Sequence, residues 1–174
     1  MTNNFQPQIV PIETLKPHPQ NYRKHPDDQL QHLVESIKEH GIYRNIIVAN
    51  DKTILAGHGV VQACLKMEMK EVPVIILELD PQDTKALKIL TGDNEIANLG
   101  EIDDRLLSEI LKEIKTEDLN GLLGTGYDEK MLANLVMVTR PASEIANINE
   151  AAQWAGMPNY DEENKAYKAV VNFD

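Results

Sequence analysis

The residues best suited to chemistry form a short turn, Gly57-His58-Gly59, between an apolar strand pattern and an apolar-periodic helix pattern. Glycine permits a positive φ and lets a ligand approach the backbone closely. The first turn of a helix has unpaired N–H groups and carries about half a positive charge. The turn therefore predicts an anion site suited to phosphate, with His58 at its mouth as a hydrogen-bond donor or a charge-stabilising group. The alternative is a tight strand–helix connection with a structural or exposed histidine.

Strands and helices on both sides of the turn must hold it in place. Residues 46–49 and 53–56 predict two strands joined by the tight turn Asn50-Asp51-Lys52. After the turn, apolar residues at helical spacing predict a helix through Val60, Val61, Cys64 and Leu65. The turn is therefore expected at the end of one strand and the start of one helix.

The flanking segments complete a mixed α/β pattern. Residues 9–12 read as an edge strand because Pro11 cannot donate to a central ladder. A helix is predicted from Pro26 to a stop at Gly41. Residues 72–79 are nearly all apolar and predict a central strand, followed by a helix from Asp80 to about Gly92.

The C-terminal part has a different character. Amphipathic helices are predicted from Asp103 and from Asp128. Residues 139–165 are polar and weakly periodic, which favours a linker or arm, and residues 168–173 alternate like a strand. That strand is expected to pair with another chain or to open a further domain.

The charge is unevenly divided along the chain, whose net charge is −11. Residues 1–100 carry 10 basic and 13 acidic side chains, whereas residues 101–174 carry 7 and 15. DNA binding depends on cations that displace counterions from phosphates. Contact with DNA is therefore expected only through the first part, while the acidic second part favours a protein partner or self-association.

Several function classes are disfavoured. The single cysteine, Cys64, excludes an internal disulfide and a cysteine-based zinc site. No stretch reaches the length of about 20 apolar residues that a membrane helix needs. The N-terminus lacks the pattern of a secretory signal. We therefore expect a cytoplasmic protein without a membrane partner.

Other candidate ligands are weaker. His18, His32 and His40 have no metal-ligand spacing and are interpreted as surface residues. Glu35 and Glu39 share a helix face at i, i+4 spacing, which could hold a metal but more often is a solvated acidic face.

Four blocks of sequence, in this order, resemble the ParB-like nuclease domain of the ParB/sulfiredoxin superfamily. They are residues 9–12 with 21–26, 33–41 with 46–48, 54–63 with 72–74, and the pair Asp93-Asn94. The resemblance covers residues 8–98 and implies an α+β fold, with a small mixed sheet and packed helices. A helical extension over 101–138 and an arm over 139–174 would follow. The Ala-Gly-His-Gly turn is similar to that of phage-encoded members, so a bacterial host would be the setting.

The resemblance also implies a ligand. Partition proteins of this superfamily bind and hydrolyse CTP, and other members use ATP for phosphoryl transfer. The implied phosphate-binding residues are Gly57, His58, Gly59, Val60, Arg23, Arg44 and Asn94. The implied catalytic residues are His58 and Asp93, and the implied Mg²⁺ ligands are Asp93 and Asn94, whose oxygens suit that ion. The alternative for Asp93-Asn94 is a helix C-terminal turn.

The turn departs from the family in two places. Partition proteins carry Gly-Glu-Arg-Arg here, and many histidine-containing members have an arginine where this chain has Val60. A bidentate grip on phosphate must therefore come from Arg23 or Arg44. Sulfiredoxin's cysteine falls in the same turn, whereas Cys64 lies one turn into the helix and is expected in the core.

The leading hypothesis is a phosphohydrolase or phosphotransferase domain that uses Mg²⁺ with ATP or CTP in the DNA metabolism of a phage or mobile element. One alternative is a noncatalytic partition or adaptor module. Another is a metal-dependent DNA nuclease.

Overall fold

The computed structural model describes residues 6–140 of the chain. Within them, four strands and five α-helices follow one another as β1 (Gln8–Pro11), α1 (Asp27–His40), β2 (Ile47–Val48), β3 (Ile54–Ala56), α2 (His58–Lys66), β4 (Glu71–Ile76), α3 (Thr84–Asn98), α4 (Asp104–Glu117) and α5 (Glu129–Thr139). The predicted α+β class is confirmed.

The sheet is small and mixed, with the strand order β1-β4-β2-β3. β1 runs antiparallel to β4, β4 parallel to β2, and β2 antiparallel to β3. The nearly continuous apolar run of β4 fits its central place, and Pro11 lies on an edge strand as predicted. The short strands β2 and β3 bring Ala56, the last residue of β3, opposite Ile47.

Apolar side chains on opposite faces of the sheet form two clusters. Val48 and Ile54 belong to the larger cluster, which also contains residues of α1 and α2. Ala49 and Leu55 belong to the smaller one, which contains Ala86 of α3. Successive strand residues point to opposite faces, so the sheet is covered by α1 and α2 on one side and by α3 on the other.

The predicted helix ends were correct for α1 and wrong for α3. The N–H of Gly41, at φ 75°, donates to the Ile37 carbonyl at 2.8 Å and ends α1 as expected. Asp80, however, closes a turn in which its carboxylate accepts the Gln82 N–H at 2.8 Å. α3 starts four residues later and continues past Gly92, because a glycine inside a helix costs only about 1 kcal/mol.

Chain contacts divide the protein into two compact units. Within the described residues, the first comprises 6–102 with 114–128, and the second comprises 103–113 with 129–140. In the second unit, Leu111 and Leu132 are buried, and Arg105 pairs with Glu109 at 3.5 Å. Most of the predicted linker, and the predicted strand at 168–173, lie outside the described residues.

None of the helices in residues 6–140 combines the length and apolar character that crossing a bilayer requires.

Candidate functional site

The turn at Gly57 has a conformation that only glycine adopts easily. Its φ of 86° and ψ of 21° lie in the left-handed region. A Cβ at this position would lie 3.0 Å from the Asn45 carbonyl oxygen and 3.2 Å from Ile46 Cα. Strand β3 therefore passes into α2 through a position that requires glycine. Both the left-handed backbone angle and the close backbone of residues 45 and 46 exclude a larger residue.

The first turn of α2 leaves its amides without helical acceptors. The first hydrogen bond of the helix runs from the Val61 N–H to the Gly57 carbonyl at 3.0 Å. The N–H groups of His58, Gly59 and Val60 precede it, and no side chain caps this helix end. The helix start is consequently a place where negative charge is stabilised.

A cavity of about 380 Å³ lies at this helix start. Its wall contains every residue that the sequence assigned to the site: Arg23, Arg44, Gly57, His58, Gly59, Val60, Asp93 and Asn94. The fold thus brings together side chains from the loop before α1, from the segment before β2, from α2 and from α3. It also adds polar residues that sequence reasoning missed, namely Asn21, His25, Gln29, Tyr43 and Asn45.

His58 is buried, with 8% of its surface exposed, and its ring is anchored. The N–H of His18 donates to His58 Nε2 at 3.3 Å. Nε2 is therefore the unprotonated nitrogen, and Nδ1 carries the proton. Burial, reinforced by His25 and then His18 nearby, lowers the pKa of His58 to about 4. Near neutral pH the His58 ring is uncharged. Its Nδ1–H can donate, whereas its lone pair on Nε2 already accepts the His18 N–H.

His18 is a buried residue, so its interpretation as a surface residue is wrong. Only 3% of it is exposed. Its Nδ1 accepts the Gln20 N–H at 3.1 Å, and its Nε2–H donates to the Pro81 carbonyl at 3.0 Å. His18 thereby ties the loop after β1 to the loop before α3. His40 is exposed as expected, whereas His32 is partly buried and accepts the N–H groups of Gly124 and Gly126.

Arg23, which the sequence predicts to be a phosphate clamp, lines the cavity. Its guanidinium lies 6.0 Å from the centre of the Tyr22 ring, and its Nη2 donates to Glu95 Oε1 at 2.6 Å. That hydrogen bond is the main reason why the pKa of Arg23 is raised. Its Nε is buried and has no hydrogen-bond partner within residues 6–140.

Arg44 also lines the cavity, beside Tyr43. Its guanidinium is 6.0 Å from the centre of that ring. The hydrogen bond between Tyr43 and Ser36 and the neighbouring Arg44 lower the pKa of the Tyr43 hydroxyl. Arg44 is exposed, so its guanidinium can reach an anion without first losing buried contacts.

His25 packs directly on the start of α2. A Cβ on Gly59 would lie 3.0 Å from His25 Nδ1, which shows how closely the ring approaches the backbone. His25 Nδ1 forms a hydrogen bond with Gln29 Oε1 at 3.1 Å, and its Nε2 is buried without a partner in the described part of the chain. The spacing of four residues between His25 and Gln29, at the start of α1, is the sequence signal that could have revealed their hydrogen bond.

Asp93 and Asn94 lie within α3 and not at its end, so they are not a C-terminal turn. Both line the cavity. Within residues 6–140 no group of three or more His, Cys, Asp or Glu side chains is arranged around a common point. One carboxylate and one amide oxygen nevertheless fit Mg²⁺, which commonly takes one or two protein ligands and completes its shell with phosphates and water.

Two orphaned buried atoms, Arg23 Nε and His25 Nε2, belong to cavity-lining residues. A buried polar atom without a partner costs about 1–3 kcal/mol. The Nε–H of Arg23 is a donor, so a ligand oxygen that accepted from it would recover that cost, which is the chemistry of an anionic ligand site.

Comparison with known proteins decides the family. The sequence profile of the ParB N-terminal domain matches residues 2–95. The ParB-like nuclease domain-containing protein YnaK of Escherichia coli is 40% identical over 67 residues, which cover 38% of this chain and 77% of YnaK. This chain belongs to the ParB N-terminal domain family. The family resemblance inferred from the four sequence blocks is thereby confirmed.

Two further similar proteins are described as chromosome-partitioning proteins. A probable chromosome-partitioning protein ParB of Rickettsia bellii is 33% identical over 84 residues, which cover 48% of this chain but only 29% of that protein. The C-terminally truncated ParB of Caulobacter crescentus, solved in complex with CTP-γ-S, superposes with a TM-score of 0.61 at 23% identity. That superposition covers 86% of this chain and 92% of the Caulobacter one. At that identity the superposition establishes a shared fold.

Proposed function

We propose that this ParB-like chain is a nucleotide-binding module whose cavity holds the ligand's phosphates over the first turn of α2. The observation that carries the proposal is that three helix-start amides lie in the wall of one cavity that Arg23 and Arg44 also line. Backbone amides at a helix start suit phosphate oxygens, and arginine adds charge-assisted hydrogen bonds. CTP is the first ligand to test, since the similar Caulobacter ParB was solved with CTP-γ-S; ATP is the second.

Each part of the cavity has a role in this proposal. The amides of residues 58–60 and the Nδ1–H of His58 donate to phosphate oxygens, and Arg23 and Arg44 neutralise them from the sides. Asp93 and Asn94 would hold Mg²⁺, which supplies additional neutralisation of the phosphates when bound. Because position 60 is valine and not arginine, the helix-start amides, Arg23 and Arg44 provide most of the binding.

Thermal denaturation with CTP, ATP, GTP and the corresponding diphosphates, each with Mg²⁺, tests nucleotide binding. We expect at least one triphosphate to raise the melting temperature. Arg23→Ala should weaken binding of that ligand about ten-fold or more, because a hydrogen bond to a charged group contributes about 1.5–3 kcal/mol. Arg105→Ala, an exposed arginine of the second unit, is the matched control and should bind normally. If none of the nucleotides shifts the melting temperature, the proposal fails.

Binding and turnover must be separated, because the partition or adaptor alternative needs only binding. The geometry of His58 favours that alternative, since a lone pair already engaged by the His18 N–H is not free to accept a proton. Under this alternative, DNA contact would involve residues 8–98, and the acidic residues 101–174 would bind a partner or a second copy. Phosphate release measured beside light scattering, with and without CTP, distinguishes the two. A plasmid-nicking assay tests the nuclease alternative.

A further inference from the structure

The clamp residue Arg23 is shared between the cavity and a carboxylate outside it. Arg23 lines the cavity wall, whereas Glu95 does not. Glu95 Oε1 accepts one hydrogen bond, from Arg23 Nη2, at 2.6 Å. A carboxylate oxygen offers a guanidinium the same charge-assisted hydrogen bond as a phosphate oxygen does.

Arg23 keeps its place through contacts that do not involve Glu95. Its backbone N–H donates to Asn21 Oδ1 at 3.2 Å, and its guanidinium lies 6.0 Å from the centre of the Tyr22 ring. Its Nε lies buried in the described fold. Only one-third of the Arg23 side chain is exposed. Because the rest is covered, the guanidinium keeps its position even if the carboxylate leaves.

Among residues 6–140, by contrast, Arg23 is the only polar group that holds the Glu95 carboxylate. The Glu95 side chain is 59% exposed on α3, and within residues 6–140 its carboxylate has no second polar partner. Glu95 can turn into solvent at little cost.

From this asymmetry we infer that Glu95 competes with the ligand's phosphate for Arg23 and thereby limits the affinity of the cavity. A phosphate oxygen that takes the Nη2 donor of Arg23 displaces the Glu95 carboxylate from it. The inference rests on the proposed nucleotide site.

Titration calorimetry of the full chain with CTP and Mg²⁺ tests this competition. Exposed ion pairs contribute about 0.2–1 kcal/mol, so Glu95→Gln should bind CTP up to about five-fold more tightly than the wild type. Glu95→Asp should also bind more tightly, because its shorter side chain keeps the charge but cannot keep the contact. Glu101→Gln removes an exposed charge outside the cavity and should leave affinity unchanged. In an Arg23→Ala background, Glu95→Gln should have no effect, since the double-mutant cycle isolates the pair.

Each other outcome contradicts the inference in a recognisable way. Weaker binding by Glu95→Gln would make Glu95 a positioning residue for Arg23. If Glu95→Gln binds CTP more tightly but Glu95→Asp does not, the gain in affinity comes from removing a negative charge and not from releasing Arg23. If the wild type binds CTP and both Glu95 variants bind equally well, the competition alone is refuted. If neither the wild type nor Glu95→Gln binds any nucleotide, the competition and the proposed function both fail.

Discussion

Replacing His58 with glutamine tests whether this residue is an uncharged anchor or a charge-bearing group. The pKa of His58 is about 4 in the folded chain, against an ordinary value of 6.5, because the ring is buried. At pH 7 the ring is neutral in the folded state and mostly neutral in the unfolded state. As the pH falls below 6.5, the unfolded chain takes up a proton that the folded chain refuses until about pH 4. Stability is therefore lost between these two values.

The size of this loss follows from the shift. At about 1.4 kcal/mol per pKa unit, the lowered pKa corresponds to a loss of about 3 kcal/mol in the free energy of unfolding. In His58→Gln, the side-chain amide oxygen can accept the His18 N–H without titrating. The variant should lose about 1–2 kcal/mol at pH 7 through imperfect packing. Between pH 7 and 4.5, its free energy of unfolding should change by about 2–3 kcal/mol less than that of the wild type. Carboxylates titrate in both proteins and cancel in the comparison.

Urea denaturation followed by circular dichroism at pH 7, 6, 5 and 4.5 measures the difference, and the imidazole proton signals of His58 report its titration directly. His40→Gln, at an exposed position, is the matched control and should follow the wild-type pH dependence. Parallel stability curves for wild type and His58→Gln would refute the reasoning. So would titration of His58 near 6.5, which would leave the ring free to carry a charge toward the phosphates.

Two backbone predictions follow from residues at positive φ. Gly57→Ala should lower the free energy of unfolding by about 2–4 kcal/mol, because the left-handed angle and the 3.0 Å approach to the Asn45 oxygen both oppose a Cβ. Gly121→Ala, at φ 61° with no atom within 4 Å, should cost only about 1–2 kcal/mol by urea denaturation, and equal costs would contradict this account. Glu68→Gly, at φ 55° just after α2, should raise stability by about 1 kcal/mol; an unchanged or lower melting temperature would count against strain at this position.

Local patterns were sufficient for the turn and for part of its frame. Strand-to-helix switching around Gly57, the stop at Gly41 and the apolar side of α2 all depend on neighbours within a few residues. Cys64 lies in the core with no exposed surface, as its place on that apolar side indicated. The convergence of Arg23, Arg44, Asp93 and Asn94 was accessible only through the family resemblance, because nothing in their spacing brings them together.

Long-range contacts account for what sequence reasoning missed. His18 lies in a proline-rich loop without periodicity, and its burial depends on Pro81, 63 residues away. Glu95 sits 72 residues from Arg23, so the competition at the clamp has no local signal. Gly92 was interpreted as a helix stop, but α3 packs against β3, and that packing outweighs the cost of one glycine.

The geometry around His58 gives the Gly-His-Gly turn a second purpose besides its amides. Gly57 makes the bend, and His58 then accepts the N–H of His18. His18 lies at the start of the loop that carries Arg23 and His25 to the cavity wall. The histidine therefore connects the helix start, which provides backbone amides, to the loop that provides Arg23 and His25. On this argument, loss of the ring weakens nucleotide binding by releasing the loop. An uncharged side chain that restores the acceptor should recover binding, which a purely electrostatic role for His58 does not allow.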